Sequence, residues 1–199
     1  GALFGLFSTD ETEFTEKTAI LTAESNEEGI FTFDNVPYGE YIVRELKPAE
    51  GYLPNEENYQ ITISVNKEII EITVENDKIP ELKTTATIDG KKEVGATEVF
   101  TLEDVVEYKH LVPGKEYTVK GVLMDKATGE PLLIDEKEIR SEGTFTPDEP
   151  TGEVIVSFEF EARYIKEETN IVVFESLYSE DKELAVHADI EDVGQTVIV

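Results

Sequence analysis

Cysteine is absent from the chain, so neither a disulfide framework nor thiolate chemistry is open to it. Tryptophan is absent too, and the two histidines, with no thiol beside them, offer too few ligands for a zinc site. Basic residues are scarce: 17 Lys and Arg stand against 45 Asp and Glu, a formal charge of −28. Each phosphate contact needs Lys or Arg, which excludes nucleic acid and anionic lipid as partners. No apolar run approaches the ~20 residues of a helical membrane span, and no basic-then-apolar segment marks a leader. There is no Gly-x-Ser-x-Gly elbow, no phosphate-cradling glycine loop, no His-Glu-x-x-His and no calcium loop. A sustained helical period is missing as well.

What remains is alternation. Apolar residues make up 39 % of the chain and interleave with polar ones in short runs. Gly and Pro punctuate these runs at intervals of roughly ten residues, the spacing of an all-β sandwich. Strands are expected at residues 1–7, 29–33, 41–45, 60–65 and 69–74. After a reset around Asn76 to Pro80, where Pro80 suits a linker, further strands are expected at 82–88, 116–125, 132–140, 153–161, 170–177, 184–187 and 196–199. At 199 residues this predicts two small β domains, 1–79 and 80–199, neither a repeat of the other. The opening run Gly1-Ala2-Leu3-Phe4-Gly5-Leu6-Phe7 reads as a sandwich edge with no lead-in, the expectation for a fragment of a longer chain.

The acids are too numerous for any pair to mark a glycosidase, and most read as a solvated outer face. The histidines are more selective. His110, just before the turn at Pro113-Gly114, reads as a surface-loop residue. His187 closes the apolar run Leu184-Ala185-Val186 and opens His187-Ala188-Asp189-Ile190-Glu191-Asp192-Val193-Gly194-Gln195-Thr196. A histidine, several carboxylates and a glutamine thus precede the terminal strand. By composition alone this stretch reads equally as an exposed polar turn.

Two resemblances sharpen that reading. Gly1-Ala2-Leu3-Phe4-Gly5-Leu6, Gly29-Ile30-Phe31-Thr32-Phe33 through Pro37-Tyr38-Gly39-Glu40-Tyr41, and Glu45-Leu46-Lys47-Pro48 through Gly51-Tyr52 resemble a SpaA-type, or Cna B-like, domain of Gram-positive pilins and adhesins. Residues 80–199 resemble the VaFE, or Thr-Gln ester-bond, domain of the same surface proteins. The matching segments are Leu82-Lys83-Thr84-Thr85-Ala86-Thr87, Gly114 to Asp125, Val172-Val173-Phe174-Glu175, and the stretch His187 to Thr196.

The ester-bond resemblance implies that Thr84, in the first strand, attacks the side-chain amide of Gln195, before the last, releasing ammonia. Residues 82, 84 and 86 share one strand face, which favours Thr84 over its neighbour Thr85 as nucleophile, with Thr85 the alternative. It further implies that His187 shuttles the proton and that Asp104 and Glu175 form a buried acid pair, one of them protonated. Asp192 is given only a local turn or hydrogen-bonding role. Such a reaction is single-turnover and consumes its own residues, so no enzyme, cofactor or metal is expected.

For the first half, Glu45 matches the catalytic acid and Asn76 the acceptor of a Lys–Asn isopeptide. The matching lysine strand would precede Gly1, and Lys17 does not fit, so the half is expected to lack its first strand, to expose a sheet edge and to form no such bond. Together these imply an extracellular, cell-wall-anchored stalk segment whose partners are neighbouring domains of the same stalk. The alternative is a module that binds a host protein or glycan through sandwich loops, with Tyr52, Tyr59, Tyr164 and Tyr178 as candidate contacts.

Overall fold

The computed structural model describes residues 1–95, 99–161, 165 and 168–199. Tyr164, one of the candidate aromatics, lies outside them. Among the described residues there is no helix, and the all-β expectation holds. Two compact units divide the chain, Gly1–Ile79 and Pro80–Val199.

The first unit is built on an antiparallel sheet of β1 (Leu3–Ser8), β2 (Leu21–Glu24), β3 (Gly39–Lys47) and β4 (Tyr59–Ile63), in the order β2-β1-β3-β4. The opening strand is therefore not an edge. It pairs with β2 from Leu3↔Glu24 to Leu6↔Leu21 and with β3 on its other side. Its continuous buried run from Phe4 to Phe7 is what a strand covered on both faces requires. Phe4, Leu6 and Val43 form the core, with Phe31, Phe33, Ile72 and Val74 packed against them. Phe31 stacks on Phe4 at 3.9 Å between centroids. The runs at 29–33 and 69–74, expected as strands, carry Phe31, Phe33, Ile72 and Val74 inward and leave Ile30, Ile69 and Ile70 exposed, but join no hydrogen-bonded ladder. Alternation needs only an extended backbone, whereas a ladder needs a partner.

The second unit is a two-sheet sandwich. One sheet holds β5 (Glu81–Ile88), β6 (Phe100–Lys109) and β12 (Gly152–Phe160), in the order β12-β6-β5. The other holds β11 (Arg140–Phe145), β7 (Tyr117–Asp125), β13 (Asn170–Ser179) and β14 (Lys182–His187), in that order. On it, β15 (Thr196–Ile198) pairs with β13 and β8 (Glu130–Pro131) with β7. Between the sheets lie Ile88, Leu102, Val106 and Phe158 from one side and Val119, Leu123, Val173 and Leu177 from the other. Each such side chain contributes about 1.5–3 kcal/mol by leaving water.

The expected strand at 132–140 is instead two short pieces, β9 (Leu133–Ile134) and β10 (Lys137–Glu138). Asp135 and Glu136 between them adopt φ of 51° and 62°, so the chain reverses there. The ten-residue β6, unexpected from the sequence, alternates perfectly in burial. An acid, Asp104, occupies one of its inward positions and breaks the apolar pattern. The chain thus enters this unit on β5 in one sheet and leaves on β15 in the other.

Candidate functional site

Period-two alternation brings four polar side chains into the second unit's core. On β5 the buried positions are Thr84, Ala86 and Ile88, while Thr85 is only half-buried. Pairing with β6 sets Ala86 opposite Asp104 and Thr84 opposite Val106, so Asp104 is the diagonal neighbour of Thr84 on the same face. From the facing sheet, Glu175 takes the inward place between Val173 and Leu177. It pairs with Gly121 on β7 and with His187 on β14. A Cβ at Gly121 would run into the Phe158 ring, so glycine is needed where that ring crosses beside Glu175. Gln195 precedes β15, its carbonyl accepting from Val173 N at 3.2 Å.

These four residues are sealed from solvent: Thr84 is 3 % exposed, Asp104 0 %, Glu175 1 % and Gln195 0 %. Oriented to match its neighbours, the Gln195 carboxamide donates from Nε2 to Glu175 Oε2 at 3.1 Å and to the Val173 carbonyl. Thr84 Oγ1 donates to Gln195 Oε1 and lies 3.1 Å from its Nε2. The other end of the carboxamide sits 3.5 Å from Asp104 Oδ1. Hydroxyl and carboxamide are in direct contact.

Two carboxyls cannot both be charged in such a place. Burial, then the hydrogen bond and charge of Asp104, push Glu175 up to about 11, with the Thr84 hydroxyl pulling the other way. Burial also raises Asp104, against the opposing hydrogen bonds of Glu175 and the Thr85 backbone and the charges of His187 and Lys92. The proton therefore belongs on Glu175, and Asp104, the member of the pair nearer Lys92, is its acceptor. Asp104 Oδ2 and Glu175 Oε1 find no other partner among the described residues, and a proton held by this pair supplies the donor that two bare carboxylates lack.

His187 stands at the rim. Its Nε2 meets Asp192 Oδ2 at 2.8 Å. Asp192 also accepts the Gly194 N–H on Oδ1 at 2.7 Å, and its carbonyl accepts Gln195 N at 3.2 Å and Thr196 Oγ1 at 2.7 Å. The His187 hydrogen bond, with the Gly194 and Gln195 N–H groups and the His187 charge, holds its carboxyl below the usual range despite slight desolvation. One aspartate thus orients the imidazole and shapes the turn that presents Gln195. From the sequence, Asp192 was expected to serve only a local turn or hydrogen bond, with His187 not named as its partner, and the five-residue gap from His187 was the available signal. Lys92, whose ammonium donates to the Ala86 carbonyl at 2.6 Å, was missed altogether. His110 lies apart, in a left-handed conformation (φ 63°) after β6 and 4.0 Å from Glu81.

In the first unit Glu45 is buried on β3. Asn76 Nδ2 donates to both its carboxylate oxygens at 3.0 Å and to the Leu53 carbonyl at 3.0 Å. Asn55 N adds a bond to Glu45 at 2.7 Å. Two of the candidate aromatics are not loop residues. Tyr59, on β4, packs on the core and accepts from Asn55 Nδ2 at 3.0 Å. Tyr178, on β13, donates to Glu183 at 2.8 Å and lies under the Lys120 ammonium. Tyr52 joins Lys78 in an isolated bridge.

An all-β sandwich that buries a threonine hydroxyl against a glutamine amide, beside two acids and a histidine, defines a class of internally cross-linkable surface domains. The model of the T-Q ester bond containing domain matches residues 80–199, and the chain belongs to that family. The SpaA prealbumin-like fold domain matches residues 1–78. Among solved structures, a bacterial adhesin from Mobiluncus mulieris containing intramolecular disulfide, isopeptide and ester bond cross-links is similar over 61 % of this chain and 57 % of its own, at 18 % identity and a TM-score of 0.52. A second crystal form of it gives 17 % identity and 0.50 over the same spans. The major pilin subunit of Bacillus cereus is similar over 94 % of this chain and 61 % of its own, at 15 % identity and a TM-score of 0.48. The chain thus spans 57 % of the length of the adhesin it matches. No curated protein matched the sequence.

Proposed function

We propose that the chain is a stalk segment of a Gram-positive, cell-wall-anchored adhesin or pilin, with domains at 1–79 and 80–199. In this reading the second domain hardens itself by an ester between Thr84 and Gln195. The observation that carries it is the direct contact of the Thr84 hydroxyl with the Gln195 carboxamide inside a water-excluded core.

The chemistry follows from the groups present. Asp192 only accepts, so the hydrogen of neutral His187 is on Nε2 and the lone pair on Nδ1. His187 takes the Thr84 proton as Oγ1 attacks Gln195 Cδ, and the carbonyl π electrons move onto Oε1. The Glu175–Asp104 pair holds one proton beside the carboxamide, with Asp104 Oδ1 3.5 Å from the oxygen on which charge develops, and that proton is the preorganised donor the site supplies. Collapse of the tetrahedral intermediate breaks Cδ–Nε2, and His187 returns the proton so that ammonia leaves. One O–C bond forms and one N–C bond breaks, with no redox change. The set is consumed in one turnover, so this is not an enzyme.

The benefit is mechanical. Entry and exit strands of the domain become covalently joined, so tension applied along the chain bypasses the core. In the first domain Glu45 and Asn76 are the acid and acceptor of a Lys–Asn site for which Lys17 is not the donor, and neighbouring stalk domains are the natural partners. Intact-mass measurement tests the proposal: the chain should weigh one ammonia less than its sequence, with the deficit in a linked peptide pair containing Thr84 and Gln195. A full sequence mass would refute it, and binding of a host protein or glycan by such a full-mass chain would favour the adhesive-module alternative.

A further inference from the structure

Lys92 has no place in the reaction just described, yet the fold delivers it to the point where that reaction closes. Asp89 and Gly90 both have positive φ, 49° and 73°, the pattern of a two-residue type I′ turn. Ile88 and Lys91 exchange N–H···O bonds of 2.9 Å in both directions. The chain therefore folds back along β5. The Lys92 carbonyl accepts from Ile198 N at 2.8 Å, tying the same residue to β15.

The residue as a whole is exposed, but its ammonium turns inward, donating to Ala86 O at 2.6 Å and Gly194 O at 2.5 Å. The Ala86 N–H meets the same Gly194 carbonyl at 3.0 Å. Ala86 is the next inward residue after Thr84, and Gly194 immediately precedes Gln195. Burial pulls the ammonium below its usual range, and the charges of Asp104 and Asp192 oppose that.

The geometry points to Lys92 as a positioning residue for cross-link closure, an inference that rests on the ester reading above. Its ammonium gathers the Ala86 and Gly194 carbonyls onto one point, which sets the approach of Thr84 Oγ1 to the Gln195 carboxamide. Its charge favours Asp104 as the anion facing protonated Glu175. Two carbonyls drawn to one cation are charge-assisted bonds, and small errors of approach weigh heavily on a reaction between oriented groups.

The test compares wild type, Lys92→Met and Lys92→Arg as full chains. Each is synthesised cell-free in a short pulse, chased, quenched in denaturant and weighed intact at timed points, loss of one ammonia reporting closure. Methionine keeps most of the unbranched stem without charge or donors, and arginine keeps both charge and donors. Lys92→Met should close at least about tenfold more slowly, and Lys92→Arg should recover most of the rate. Equal rates for wild type and Lys92→Met overturn the inference. So does a Lys92→Arg as slow as Lys92→Met, because packing rather than charge would then be the cause. A wild type that never loses ammonia overturns the ester reading instead, a distinct outcome.

Discussion

Replacing Thr84 by valine removes the attacking hydroxyl while keeping the shape of the side chain in a fully packed core. The proposed ester closes a loop of about 110 residues, for which the chain-entropy relation used for disulfides gives about 5 kcal/mol. A domain of about 120 residues unfolds with an entropy near 250 cal/mol/K, so the melting temperature should fall by about 20 °C. Scanning calorimetry on both chains, with intact mass taken on the same samples, makes the comparison. Thr85→Val, which alters only a half-buried neighbour, should keep the ammonia deficit and melt near wild type. A Thr84→Val chain that still loses ammonia, or one that melts within a few degrees of wild type, refutes the reasoning.

Three further outcomes follow. His187→Ala should slow ester formation by about 10²–10⁴-fold, and Asp192→Asn by about tenfold or more through loss of the imidazole's orientation; timed intact masses check both, and normal closure in His187→Ala would remove it from the mechanism. Glu175 is pushed from 4.5 up to about 11, so in that window the folded chain keeps a proton that the unfolded chain has shed. Its contribution is whole below about pH 4.5 and is lost as pH rises towards 11, by up to about 1.4 kcal/mol per pH unit. Denaturant midpoints of Thr84→Val at about pH 5 and about pH 8 should therefore differ more than those of Thr84→Val/Glu175→Gln, and equal slopes would contradict the assignment. Gly121→Ala sets a methyl against the Phe158 ring and should destabilise the second unit by about 1–3 kcal/mol, read from denaturant melts.

Much of the site was visible as a fault in a pattern. Along β5, β6 and β13, inward positions are apolar except at Thr84, Asp104, Glu175 and, at the end of β13, Ser179, and an uncompensated polar group there is costly enough to need a reason. Asp104 hid β6 for the same cause: assigned to a buried pair only through the resemblance, it interrupts at an inward position the apolar alternation that marks a strand. The opening strand was misjudged because a short apolar run does not say how many neighbours will flank it. In the first unit, side-chain alternation at 29–33 and 69–74 was real, but whether those backbones found partners is a property of the sheet.

Periodicity, glycine and proline spacing and the lack of cysteine determined that this chain is a series of β segments with polar residues planted among apolar ones, because a strand's two faces follow directly from residue order. What only the tertiary structure decided is which of those planted groups meet. Thr84 and Gln195 lie more than a hundred residues apart, Asp192 serves His187 and Gln195 at once, and Lys92 reaches Ala86 and Gly194 through a turn that reverses β5. Such meetings depend on how two sheets stack and how the chain crosses between them, information that no local window of sequence contains.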